Sequence, residues 1–448
     1  MKSNAILRSA VLLALCSPLL ASAAAALPIT FDFGVDKAGA GHVAVLPEMA
    51  YTSARGFGFE PGAVVASVDD GGDGHGHARY ITGTQPYFFS VDLPEGNYNV
   101  TLTLGDAKAA SNTTVKAELR RLMLENVATT AGQVVTRTFT VNVRTPQIAA
   151  RDGVAAGEVK LKAPRESVQE SWAWDRRLTL EINGSHSAVR AVTITPVVTP
   201  TLFLLGDSTV CDQSQEPYSS WGQMIPRFFK PGLAVANHGE SGETYRDSIG
   251  RRRLDKILSV MRAGDTVLME FGHNDQKQIK DGKGGPFTTY KAEIKTHVAA
   301  VRAHGGVPVI SSPMERRGFD AAGKVIASLA DYADAARQVA QEEHVAFIDL
   351  NAMSKVFYEA IGPEQSRLAF AEPSLGKVDN THHNNYGSYE LARMIVLGLQ
   401  QNKLGVAAFV SADAGVFDPA HPDPVASFAV PVSPNFTQQR PLGDEANK

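Results

Sequence analysis

Cysteine is almost missing from this chain: Cys16 and Cys211 are the only two in 448 residues. Cys16 falls in a leader that the pattern below marks for removal, which leaves one thiol and excludes an internal disulfide. An exported protein without disulfides must be held by the size of its core. A surplus of positive charge is also missing. Lys and Arg number 43 against 47 Asp and Glu, a net charge of −4, which excludes a broad basic face for nucleic acid. No membrane span is expected, because the apolar stretch at 9–20 is too short for one. That stretch follows Lys2 and Arg8 and precedes Ala21-Ser22-Ala23. Basic, apolar and small residues in that order predict a signal peptide over residues 1–23, and hence a secreted or periplasmic protein. The bulky Leu15 before Cys16 argues against a lipid anchor. No internal repeat is present.

Helical periodicity is absent from the first half. Residues 27–198 alternate with period two at 28–34, 87–93, 98–104, 134–143, 177–182 and 191–195, which predicts an all-β sandwich domain. The stretch 69–77, with its Asp, Gly and His, offers cation ligands such as Ca²⁺ takes. Its spacing matches no ligand pattern, so a polar turn is the expectation and no metal or cofactor is assigned. The aromatics of 55–60 and Trp172 and Trp174 suit sugar stacking and sandwich core equally well. Prolines at 196 and 200 mark a boundary. Beyond it, short apolar runs at 201–205, 233–236, 266–271, 307–311 and 345–350 alternate with helical patterns at 288–304, 329–343 and 384–400. That alternation predicts an α/β domain with a parallel sheet over 199–402. Arg251-Arg252-Arg253 reads as the solvated face of a helix. Residues 403–448 are proline-rich and predict an extended segment over the surface with a disordered end.

The first α/β strand runs straight into Gly206-Asp207-Ser208-Thr209. Ser208 therefore stands at a carboxyl strand end, where open α/β sheets bind ligands. Cys211, three residues on, reads as a small buried hydrophobe. Asp379 and His382 lie in one turn and can supply an oriented base for a serine nucleophile. His383 is adjacent, and local chemistry does not choose between the histidines. Asn274, in Phe271-Gly272-His273-Asn274-Asp275-Gln276, offers a side-chain donor at another strand tip. The loop 237–244 offers backbone N–H groups, and with the N–H of Ser208 these would form an oxyanion hole.

The order Gly-Asp-Ser-Thr, glycine loop, Gly-His-Asn-Asp, Asp-x-x-His resembles the SGNH (GDSL) hydrolase superfamily, over residues 201 to about 400. Within it, the motifs are most similar to rhamnogalacturonan acetylesterases. Phe31-Asp32-Phe33-Gly34 and residues 55–60 resemble the galactose-binding-type sandwich attached to some of those enzymes. The resemblance implies a three-layer α/β/α catalytic domain, Ser208 as nucleophile, and Asp379 and His382 as its triad partners. It also implies Gly242 and Asn274 as oxyanion donors beside the N–H of Ser208. The expected activity is O-deacetylation of a plant cell-wall polysaccharide or oligosaccharide without a cofactor. Rival readings are another ester specificity (xylan, peptidoglycan, lipid or thioester) and a non-catalytic sugar-binding protein. One departure stands out: Glu243-Thr244 follows Gly242 where the family has Arg-Ser. An acidic residue there would not suit an acidic sugar polymer.

Overall fold

The structure is a computed structural model, and it describes residues 27–71, 79–279, 282 and 284–434. The predicted leader, most of the 69–77 turn and the end of the proline-rich tail lie outside the described residues. The period-two segments form a sandwich of a seven-stranded and a five-stranded sheet. Every other side chain of Gly96–Leu104 points inward, so Tyr98, Val100, Leu102 and Leu104 are buried as the pleat requires. Phe57 and Phe59 join Phe31, Phe33 and Phe89 in a ring cluster between the sheets. The aromatics of 55–60 therefore belong to the sandwich core, with Phe59 buried and Phe57 half-buried against it.

The sheet of the α/β part is five-stranded and wholly parallel, in the order Ala234–Asn237, Thr201–Gly206, Thr266–Glu270, Val307–Ser311, Ala346–Ile348. Its first strand in sequence lies second in space, so the order reverses beside Thr201–Gly206. The crevice beyond that reversal is where such sheets bind ligands. Both faces are covered. Leu202 and Leu204 point to the helices Leu350–Gln365 and Asn385–Gln401, while Phe203 and Leu205 point to Arg253–Val260, Lys291–Ala303 and Ala330–Glu342. This is the expected three-layer α/β/α arrangement.

Two features depart from the sequence reading. First, residues 144–176 do not stay with the sandwich. They carry two short helical turns, Arg165–Gln169 and Ser171–Ala173, and bury Ile148, Val154, Val159 and Trp174 in the core of the α/β part. Second, Arg253 is no solvated face. It is fully buried, its Nε donates to both Glu243 oxygens at 2.8 Å, and its Nη2 donates to Glu166 at 2.6 Å. The trio Arg251-Arg252-Arg253 spans a break between two helices, with Arg252 at φ +64°. Residues 403–434 run over the surface with three short helical turns, Gly405–Phe409, Ala412–Ala414 and Val425–Ser427. The tail crosses back to the sandwich, where Lys116 Nζ donates to Pro431 O at 2.7 Å and Ser433 Oγ at 2.6 Å.

Candidate active site

Ser208 follows the strand Thr201–Gly206 in a turn closed by Val210 and Cys211 N–H groups on Asp207 O. Asp207 holds that turn from below. Its Oδ1 accepts from Thr209 N and Oγ1, both at 3.0 Å, and its Oδ2 lies 3.5 Å from His273 Nδ1. Gln213 fixes the nucleophile's own backbone by donating from Nε2 to Ser208 O at 2.7 Å.

The turn before the helix Asn385–Gln401 supplies the other two groups. Asp379 Oδ1 accepts the backbone N–H groups of Thr381 and His382 at 2.7 and 3.0 Å. Its Oδ2 accepts from His382 Nδ1 at 3.1 Å, and His382 Nε2 meets Ser208 Oγ at 2.9 Å. A carboxylate only accepts, so Nδ1 carries the proton and Nε2 offers its lone pair to the serine hydroxyl. Burial would raise the Asp379 carboxyl, but the facing His382 and the two backbone donors outweigh it and hold it well below the ordinary carboxylate range.

The neighbouring histidine is excluded by geometry. His383 is buried between Phe370 and Tyr358, and its Nε2 bonds to Tyr358 Oη at 2.9 Å. Burial pushes it down to about 3, so it stays neutral. Cys211 is buried as expected, with its thiol pushed up by burial and by Glu240.

Asn274 reaches the loop that carries Gly242. Gly242 has φ +74°, a left-handed conformation that favours glycine. Among the described residues, neither its N–H nor that of Ser208 donates to a backbone carbonyl. Asn274 is buried, and its Nδ2 donates to Glu243 O, one residue beyond Gly242, at 3.1 Å. Its Oδ1 accepts from Lys277 Nζ at 2.7 Å. A carbonyl only accepts and an ammonium only donates, so these partners fix which way the amide faces. One N–H of the amide is left over after the bond to Glu243. The arrangement can transfer a proton from Ser208 to His382.

Sequence reasoning missed Lys277, although its spacing of three from Asn274 within one helical turn was visible. Glu243 differs from its sequence reading, and Trp174 takes the core alternative. Glu243 is fully buried, and its carboxylate faces Arg253. It presents no charge that would repel an acidic polymer. Trp174 lies between the guanidinium groups of Arg144 and Arg253 and donates to Glu166 at 3.1 Å, so it is buried framework. Trp172 packs on Phe88.

Comparison with known proteins agrees with this architecture. Residues 204–387 match the GDSL-like lipase/acylhydrolase family, and residues 29–160 match the galactose-binding-like domain of β-agarase/YXIM-type esterases. The chain is 35% identical over 210 residues to the rhamnogalacturonan acetylesterase RhgT of Bacillus subtilis, covering 45% of this chain and 89% of that one. It is 30% identical over 202 residues to the probable rhamnogalacturonan acetylesterase YesY of the same organism, covering 45% and 92%. The similarity to the B. subtilis esterase YxiM runs through both parts, at 27% identity over 85% of this chain and 92% of that one. With Gly-Asp-Ser, Gly-His-Asn-Asp and Asp-x-x-His gathered at one crevice, the chain belongs to the GDSL-like (SGNH) acylhydrolase family and is an esterase.

Proposed function

We propose that this esterase removes O-acetyl groups from a pectic polysaccharide, acetylated rhamnogalacturonan, after export through its N-terminal leader. The observation that carries the reading is the relay Asp379–His382–Ser208, closed at 3.1 and 2.9 Å, in a chain with two rhamnogalacturonan acetylesterase relatives at 30% identity or more. His382 Nε2 takes the Ser208 proton as Oγ attacks the acetyl carbonyl. The N–H groups of Ser208, Gly242 and Asn274 hold the tetrahedral oxyanion. His382 returns the proton to the sugar oxygen, which leaves as the alcohol, and Ser208 keeps the acetyl group. Water, deprotonated by His382, then attacks the acetyl-serine, and acetate departs as Oγ recovers its proton. Asp379 stays ionised throughout, fixing the tautomer and stabilising the imidazolium.

The test compares acetate release from acetylated rhamnogalacturonan and acetylated xylan, alongside rates on 4-nitrophenyl acetate and octanoate. The reading expects the pectic polymer to be preferred and the acetyl ester to be cleaved much faster than the octanoyl ester. Comparable rates on both small esters, with no acetate from either polymer, contradict it.

A further inference from the structure

The loop 212–218 carries Gln213 and Tyr218, and it touches both reacting groups. Gln213 Nε2 donates to Ser208 O at 2.7 Å, and the Tyr218 ring meets His382 edge-on, 5.8 Å between centroids at 88°.

The sandwich holds this loop in place. The antiparallel strands Ser111–Ala117 and Arg121–Thr129 are joined by Glu118, Leu119 and Arg120. That tip is inserted into the α/β part. Arg120 is 6% exposed; its Nη1 donates to Gln213 O at 3.0 Å and Tyr218 O at 2.9 Å, and its Nη2 donates to Asn385 Oδ1 at 3.0 Å. Glu216, in the same loop, pairs with it at 3.2 Å. Gln223 adds a bridge, donating to Leu119 O at 2.7 Å and Gln213 O at 2.8 Å. Arg121 holds Asp212 at 2.7 Å. Glu118 and Arg120 adopt φ +55° and +62°, a left-handed conformation unfavourable for side chains of this size, which persists only where surroundings impose it.

We propose that Arg120 is a positioning residue for the hydrolase, supplied by the other domain: its guanidinium fork sets the loop that aligns Ser208 with His382. One fork reaches the carbonyls of the two residues that contact nucleophile and base, and Asn385 at the start of the helix that follows His382. The rigid planar fork suits three acceptors at fixed spacing, which a lysine cannot reproduce. The sandwich is thereby part of the catalytic apparatus as well as any sugar-binding surface. The proposal rests on Ser208 and His382 being nucleophile and base.

The test uses the full chain, assayed on 4-nitrophenyl acetate well below each variant's melting point, with Ser208 labelling by a small phosphonate as a second readout. Small misalignment of reacting groups slows the chemical step far more than it weakens binding, so Arg120→Met should lower kcat by about 10–100-fold. KM should move by less than about threefold, and labelling should slow with kcat. Arg120→Lys should fall between Met and wild type. Arg190→Met is the control. Arg190 is buried within the sandwich, bonded to Asp70 and to Gly105 O, so its loss should lower the melting point and leave kcat intact. A folded Arg120→Met with wild-type kcat overturns the proposal, as does an equal kcat loss in Arg190→Met. If Arg120→Met does not fold, Arg120→Lys decides, and wild-type kcat there overturns it. Ser208→Ala is run in parallel: if it keeps its rate, the reading of the site fails, whatever Arg120 does.

Discussion

Lys277 Nζ donates to Asn274 Oδ1 at 2.7 Å, so a cation sits at the carbonyl end of the amide proposed as an oxyanion donor. The bond polarises the amide and makes its N–H groups better donors. Lys277→Met should therefore lower kcat on a small acetyl ester with little change in KM. A hydrogen bond to a charged group contributes about 1.5–3 kcal/mol, which sets an upper bound of roughly 10–150-fold. Lys277→Arg should retain part of the rate. Equal kcat for Met and wild type would remove this role.

Asn274 itself should matter more. Losing one oxyanion donor lowers kcat by about 10²–10³-fold, or roughly 2.7–4 kcal/mol. Asn274→Ala should show that loss with a near-normal melting curve. Asn274→Asp should be at least as harmful, because a carboxylate repels the forming oxyanion. Normal melting with normal kcat in Asn274→Ala would take Asn274 out of the site.

The buried arginine beneath the glycine loop predicts a stability effect. Arg253→Met leaves the carboxylates of Glu243 and Glu166 buried without the guanidinium that faces both. Breaking a buried pair by removing one partner costs about 3–5 kcal/mol. Urea unfolding should register a loss of that size, and a change under about 1 kcal/mol would show that the carboxylates find other partners.

These charges mark where the sequence was legible and where it was not. The strand leading into Gly-Asp-Ser, the Asn274 tip and the Asp379–His382 turn could be read because each is local, a few residues with one chemistry. His382 could not be chosen over His383 from adjacent residues alone. The family resemblance chose it, and the physical reason is Tyr358, 25 residues away, which holds His383 in an aromatic pocket. Arg253 was misread because a run of arginines reveals nothing about carboxylates 10 and 87 residues distant. The strands Ser111–Ala117 and Arg121–Thr129 were not singled out because Lys116 and Arg121 break the apolar alternation. Both are buried by partners from the tail and the α/β part. The helix Leu350–Gln365 was missed because its first residue completes an apolar run with the strand Ala346–Ile348, and only the Asp349 cap separates them.

Three buried histidines predict acid sensitivity. Burial holds His297 at about 4, His383 at about 3 and His238 well below the ordinary value, the last aided by Arg144. In the unfolded chain each titrates near 6.5. Below about pH 6.5 the unfolded state binds protons that these folded rings refuse, so the contribution of each ring to stability falls as pH falls. The slope approaches about 1.4 kcal/mol per pH unit for each histidine. Buried carboxylates raised by burial, among them Glu240, Glu270 and Glu390, act in the opposite direction, so the test is the difference between the wild type and His297→Gln. The wild type should lose stability relative to that variant from about pH 7 to pH 5, and a difference that does not change over that window would contradict the neutral, buried state of His297.

Ser208 is proposed to carry the acetyl group of a pectic polymer. The direct measurement is acetate released from acetylated rhamnogalacturonan by the wild-type chain and by Ser208→Ala at equal concentration. The account predicts steady release by the wild type and loss of about 10³-fold or more in the variant, with its melting curve unchanged. Release by Ser208→Ala near the wild-type rate, or no release by a wild type that still cleaves 4-nitrophenyl acetate, would contradict it.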